Sequence, residues 1–106
     1  MATTTAAVVI TSPTTIPLED DVVISWDINN QEILGFDVRI GTAEGLWDVF
    51  NGRLGKMVRE VRLPGLPDDL VKLFLEFGYT VPSPDVDERS ENILISEKPI
   101  PIWRKP

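Results

Sequence analysis

Two residue types are missing from this 106-residue chain: cysteine and histidine. Without cysteine there are no thiol nucleophiles, thiolate metal sites or disulfides. Without histidine, a Ser-His-Asp triad, a Cys-His pair and imidazole-held zinc are all excluded. A domain of this size does not depend on disulfides, so their absence leaves the compartment open. No apolar run approaches the roughly 18 residues of a membrane helix. Met1 to Ile10 carry no positive charge ahead of a short, β-branched apolar stretch, so a secretory leader is not expected.

Bases are also scarce, 10 against 17 acids, for a net charge of −7. Affinity for nucleic acid in general comes from neutralising phosphates, so a nucleic-acid partner is not expected. Gly-x-Ser-x-Gly, phosphate-cradling and dinucleotide-binding motifs do not occur. Catalysis by paired carboxylates would need only acids. Most of the acids fall in turns or on outward strand positions, where water keeps a carboxylate at its ordinary pKa. The expectation is therefore a protein that is not an enzyme and carries no cofactor.

Period-two patterning punctuated by turn residues is abundant. Phe36, Val38 and Ile40 alternate with Asp37 and Arg39, so one face is apolar and the other faces water. Seven strands are expected in all: Val8 to Thr11, Val22 to Trp26, Phe36 to Ile40, Trp47 to Phe50, Met57 to Leu63, Val71 to Phe77 and Asn92 to Ser96. Gly41 to Gly45, Asn51-Gly52 and Pro64 to Pro67 read as turns between them. Asp68 to Leu75 also has the look of a short capped helix, but the alternation of Val71, Leu73, Leu75 and Phe77 favours strand. Such spacing predicts one all-β, two-layer domain, residues 1–97.

The chain resembles the bacterial immunoglobulin-like and fibronectin type III-like domains. The resemblance rests on Ile10-Thr11-Ser12-Pro13, Trp26 closing the second strand, and Ile40-Gly41-Thr42. The hairpin Asp48-Val49-Phe50-Asn51-Gly52 and Gly65-Leu66-Pro67 complete it. It spans about residues 10 to 77 and implies a seven-stranded antiparallel β-sandwich with Trp26 in its core. Where such domains often carry Arg-Leu-Trp and a tyrosine in the sixth strand, this chain has Glu76-Phe77-Gly78 and Phe74.

Residues 98–106 stand apart, with three prolines and three bases but no acid. They carry +3, leaving 17 acids and 7 bases, or −10, on the other 97 residues. Proline lacks an N–H, so this segment is expected to be an extended arm unable to join a sheet centrally. Ile100, Ile102 and Trp103 would be costly to leave in water, and with Arg104 and Lys105 they form the expected partner-binding arm.

A second expected binding surface is the long loop Gly78 to Ser90, with Tyr79, Asp85 and Asp87, together with Trp47 beside the glycine turn. A calcium site built from Glu19, Asp20, Asp21, Asp68 and Asp69 is a weaker alternative to solvated turns. The composite expectation is an assembly module contacting other protein chains, in a virion or a cytoplasmic assembly. The alternative is a sugar- or protein-recognition module at a bacterial surface or secreted; neither reading involves a membrane.

Overall fold

The computed structural model describes residues 8–29, 32–83, 87 and 89–106. These residues form nine strands and no helix: β1 (Val8–Ile10), β2 (Thr15–Pro17), β3 (Val22–Ile28), β4 (Gly35–Gly41), β5 (Phe50–Gly55), β6 (Glu60–Leu63), β7 (Lys72–Pro82), β8 (Ser90–Leu94) and β9 (Ile100–Lys105). Three of them make a small sheet in the order β1-β3-β6. The other six make a large sheet in the order β2-β9-β7-β4-β5, with β8 also on β7.

Alternation in the sequence decides which side of each strand is buried. Val22, Ile24 and Trp26 of β3 face Phe36, Val38 and Ile40 of β4 and Leu73, Leu75 and Phe77 of β7, all of them buried in one core. The sheets meet at an aromatic cluster, where the Trp26 ring lies 5.4 Å from that of Phe36 and 4.9 Å from that of Phe77. Tilted and edge-on arrangements at such distances suit the ring quadrupoles. The domain is thus an all-β sandwich.

Several elements differ from expectation. Among the described residues nine strand segments stand where seven strands were expected, and the β2–β9 pair is parallel. Asn51-Gly52 is not a turn but lies inside β5, opposite Arg39 and Val38. The chain reverses earlier, at 42–49. There Gly45 takes φ +80°, the Leu46 N–H donates to the Ala43 carbonyl at 3.1 Å, and Asp48 accepts from the backbone and hydroxyl of Thr42 at 2.9 and 2.8 Å. Trp47 to Val49 is accordingly part of that loop, and its strand starts only at Phe50. This arrangement half-buries Phe50 and Leu54 against the core, a gain that outweighs the local turn preference of Asn-Gly.

Met57 is exposed in the connection before β6, so that strand is four residues long, and Val71 precedes β7 and is likewise exposed. Tyr79 does not open a loop. It sits within the 11-residue β7 with its ring in the core. Of the long-loop residues, Asp87 is exposed and Asp85 lies outside the described residues.

The largest correction concerns the C-terminal segment. Residues 100–105 are extended, as expected, yet they occupy the interior of the large sheet, between β2 and β7. Pro101 is accommodated opposite Phe74, while the Trp103 N–H donates to the Thr14 carbonyl at 2.7 Å and the Arg104 N–H to the Val71 carbonyl at 2.8 Å. One missing donor removes a single ladder bond; the flanking bonds to both neighbours remain.

Candidate functional site: the outer face of the large sheet

β9 alternates between two surroundings. Ile102 is 1% exposed in the core and Arg104 is 4% exposed at the pole, whereas Trp103, on the opposite face, is 40% exposed. Ile100 is partly buried against the core, and Lys105 is exposed. Of the five residues expected to form a partner-binding arm, therefore, Trp103 and Lys105 face outward, while Ile100, Ile102 and Arg104 hold the domain together.

Register places Trp103 beside Lys72 of β7, and Phe74 two residues further along the same face, opposite both Gly41 and Pro101. The Lys72 Nζ lies 4.5 Å from the Trp103 ring centre and 4.9 Å from that of Phe74. An ammonium in that position is attracted by the negative faces of both rings. Neither Lys72 nor Lys105 has a carboxylate partner among the described residues. The result is a basic, aromatic patch on an otherwise acidic body.

Beside the patch, the 42–49 loop passes directly over Gly41. A Cβ there would fall 1.5 Å from the Leu46 carbonyl oxygen, so only glycine lets the loop lie down on the sheet. That brings the exposed Leu46 and the half-buried Trp47 to the border of the patch by backbone placement. Trp47 thus belongs to the same end of the sheet as Trp103, whereas Tyr79 and Asp87 do not.

Further along this face the chemistry turns polar. Arg39 pairs with Glu76 across β4 and β7. Beyond them Arg53 reaches over Gly35 to donate to the Thr80 hydroxyl at 3.1 Å, and that hydroxyl donates to Asn92 at 2.9 Å. Thr80 is 1% exposed beneath these neighbours, so the network is internally satisfied and serves to tie β5, β7 and β8 together.

The acidic pole is differently built from a cation site. Glu19, Asp20, Asp21 and Asp68 do gather around one pocket, but Arg104 lines it too. The buried guanidinium donates to the carbonyls of Pro67 and Leu70 at 2.7 and 2.6 Å and to that of Leu18 at 3.2 Å. Asp21 also sits 3.5 Å from Arg62. A cation bound here would lie against a positive charge that cannot be deprotonated. No group of three or more acidic side chains able to hold a metal occurs among the described residues. The acids line the same pocket as Arg104, and none of those described is ion-paired with it.

No protein-family model, curated protein or solved structure matches the chain. Nor is any helix among the described residues long and apolar enough to cross a membrane.

Lys72, Phe74 and Pro101 are the patch residues that sequence reasoning missed. The signal for the first two was present: they alternate with Leu73, Leu75 and Phe77, so an inward row of the latter puts Lys72 and Phe74 outside. What sequence did not offer was the strand beside them.

Proposed function

We propose that the chain is a non-enzymatic assembly module, an immunoglobulin-like sandwich built into a larger particle such as a virion through protein–protein contacts. Support for the topology comes from strand order: β1-β3-β6 parallels strands A-B-E of immunoglobulin sandwiches, and β9-β7-β4-β5 parallels G-F-C-C′. Counting β1 with β2, and β8 with β9, as interrupted single strands leaves seven.

The observation that carries the docking function is the Lys72–Phe74–Trp103 stack on the outer face of the large sheet. Tryptophan is a frequent anchor of protein interfaces, and an ordered ring loses little entropy when covered. Two lysines, Lys72 and Lys105, without carboxylate partners among the described residues supply steering toward an acidic partner surface.

A flat, exposed tryptophan also suits a sugar, which is the recognition-module alternative. Here Lys72 already lies across the ring, so a sugar would have to displace it. Sedimentation of the purified protein over a range of concentrations, alongside a glycan array, separates the two readings. Reversible association that Trp103→Ala weakens about tenfold or more, with the melting transition retained, supports assembly. A protein that stays monomeric and binds immobilised glycan through Trp103 would overturn it.

A further inference from the structure

β8 and β9 lie end to end along the same side of β7. Leu94 pairs with Gly78, and Ile100 pairs with Leu75. Three residues of advance on β7 are therefore matched by six along β8–β9, an excess of three. Ile95 still donates to the Phe77 carbonyl at 3.1 Å, so the excess lies in 96–99. That stretch is closed on itself: the Ser96 hydroxyl donates to the Lys98 carbonyl at 2.6 Å and accepts, at 3.4 Å, from the Lys98 N–H. Excising three residues would make β8 and β9 one uninterrupted strand in a single register, with Ile100 still opposite Leu75. The sandwich itself has no use for the slack.

The strand beyond that slack is paired on both sides, but its ladders are short. Its ladder with β7 covers four residue pairs, one of them at Pro101, which has no N–H to give. Among the described residues its buried Arg104 has no carboxylate partner, and its Nε has no hydrogen-bond partner. Yet the groove it fills cannot stay empty. Withdrawing β9 would open the core at Ile102 and remove the guanidinium that donates to the carbonyls of Leu18, Pro67 and Leu70, leaving Pro67 only its bond from the Leu70 N–H. An identical strand from another copy restores every one of those contacts.

We propose that residues 96–99 are a hinge through which β9 is exchanged between two copies of the chain, giving a reciprocal strand-swapped dimer. Extended, the three surplus residues add roughly 10 Å of reach. The exchange deepens the assembly reading but does not depend on the Lys72–Trp103 patch.

The absence of cysteine makes the test clean. Pro17 and Lys105 are paired across β2 and β9 and both are exposed. The double variant Pro17→Cys, Lys105→Cys, oxidised after equilibration at increasing protein concentration, reports whose β9 lies beside each β2. The expected result is an interchain-disulfide dimer whose share rises with concentration. Absence of interchain product even at millimolar protein overturns the exchange. As a second variant, deletion of Glu97, Lys98 and Pro99 should keep the sandwich folded and abolish the swapped dimer. A deletion variant that folds and still exchanges β9 overturns the hinge assignment. The disulfide variant removes Lys105, one of the two steering lysines, whereas the deletion leaves Lys72, Phe74, Trp103 and Lys105 in place, so docking through the patch is measured separately in the deletion variant.

Discussion

Arg104 shows how one side chain is spent on both faces of the stability problem. Its buried guanidinium caps three carbonyls, of which Pro67 also accepts from the Leu70 N–H, but it brings a charge without an ion-pair partner among the described residues and an orphan Nε–H with it. Arg104→Ala should destabilise the fold by more than about 2 kcal/mol in urea denaturation, because hydrogen bonds to charged groups are worth about 1.5–3 kcal/mol each. A loss within error would mean that the guanidinium is solvated. At Leu75, completely buried between the sheets, truncation to alanine should cost about 2–5 kcal/mol. Trp26 also carries a burden: its indole N–H is buried without an acceptor. Trp26→Ala should cost about 3–5 kcal/mol. Trp26→Phe should cost far less, since it keeps a ring against Phe36 and Phe77 and removes the unsatisfied donor. Equal losses for the two variants would show that the N–H is satisfied.

At the level of elements, the hairpin between β4 and β5 has a pH dependence of fixed sign. Hydrogen bonds from the Thr42 backbone and hydroxyl favour the ionised form of Asp48 and hold its pKa below the ordinary 3.8. A carboxylate whose pKa is depressed by folding contributes stability above its unfolded pKa, lost as pH falls through the folded value. The Thr42 amide resonance should therefore titrate with a midpoint under 3.8, and Asp48→Asn should remove that titration. A midpoint at or above 3.8 would contradict the contact.

Elements also show how much was legible in the sequence. β3, β4 and the inward row of β7 were readable because strict alternation leaves one register that buries the apolar set. The Asn51-Gly52 reversal was misread because a local turn preference competes with pairing along β4, and pairing is a long-range term that sequence spacing does not reveal. Likewise, three prolines in residues 98–106 spoke against a central strand, yet only Pro101 falls inside β9, with Pro99 before it and Pro106 after. Of the Lys72–Phe74–Trp103 stack, only Trp103 stood out in the sequence, since the proximity of Lys72 and Phe74 to it depends on β9 lying beside β7.

For the molecule as a whole, the outcome turns on a single segment that serves two surfaces. The inner side of β9 puts Ile102 in the core; its outer side leaves Trp103 exposed. Ending the chain at Glu97 should therefore abolish the cooperative melting transition rather than produce a folded, non-assembling domain, because the open groove would expose the core beside Leu73 and Leu75. Amide hydrogen exchange on the intact protein probes the same point without perturbing it. The Trp103 and Arg104 amides, bonded to Thr14 and Val71, should be protected to nearly the same degree as those of the central strand β7. Exchange of both at the rate of an unstructured peptide would contradict the account, returning residues 100–105 to a solvent-exposed arm and removing the sheet face on which the proposed docking depends.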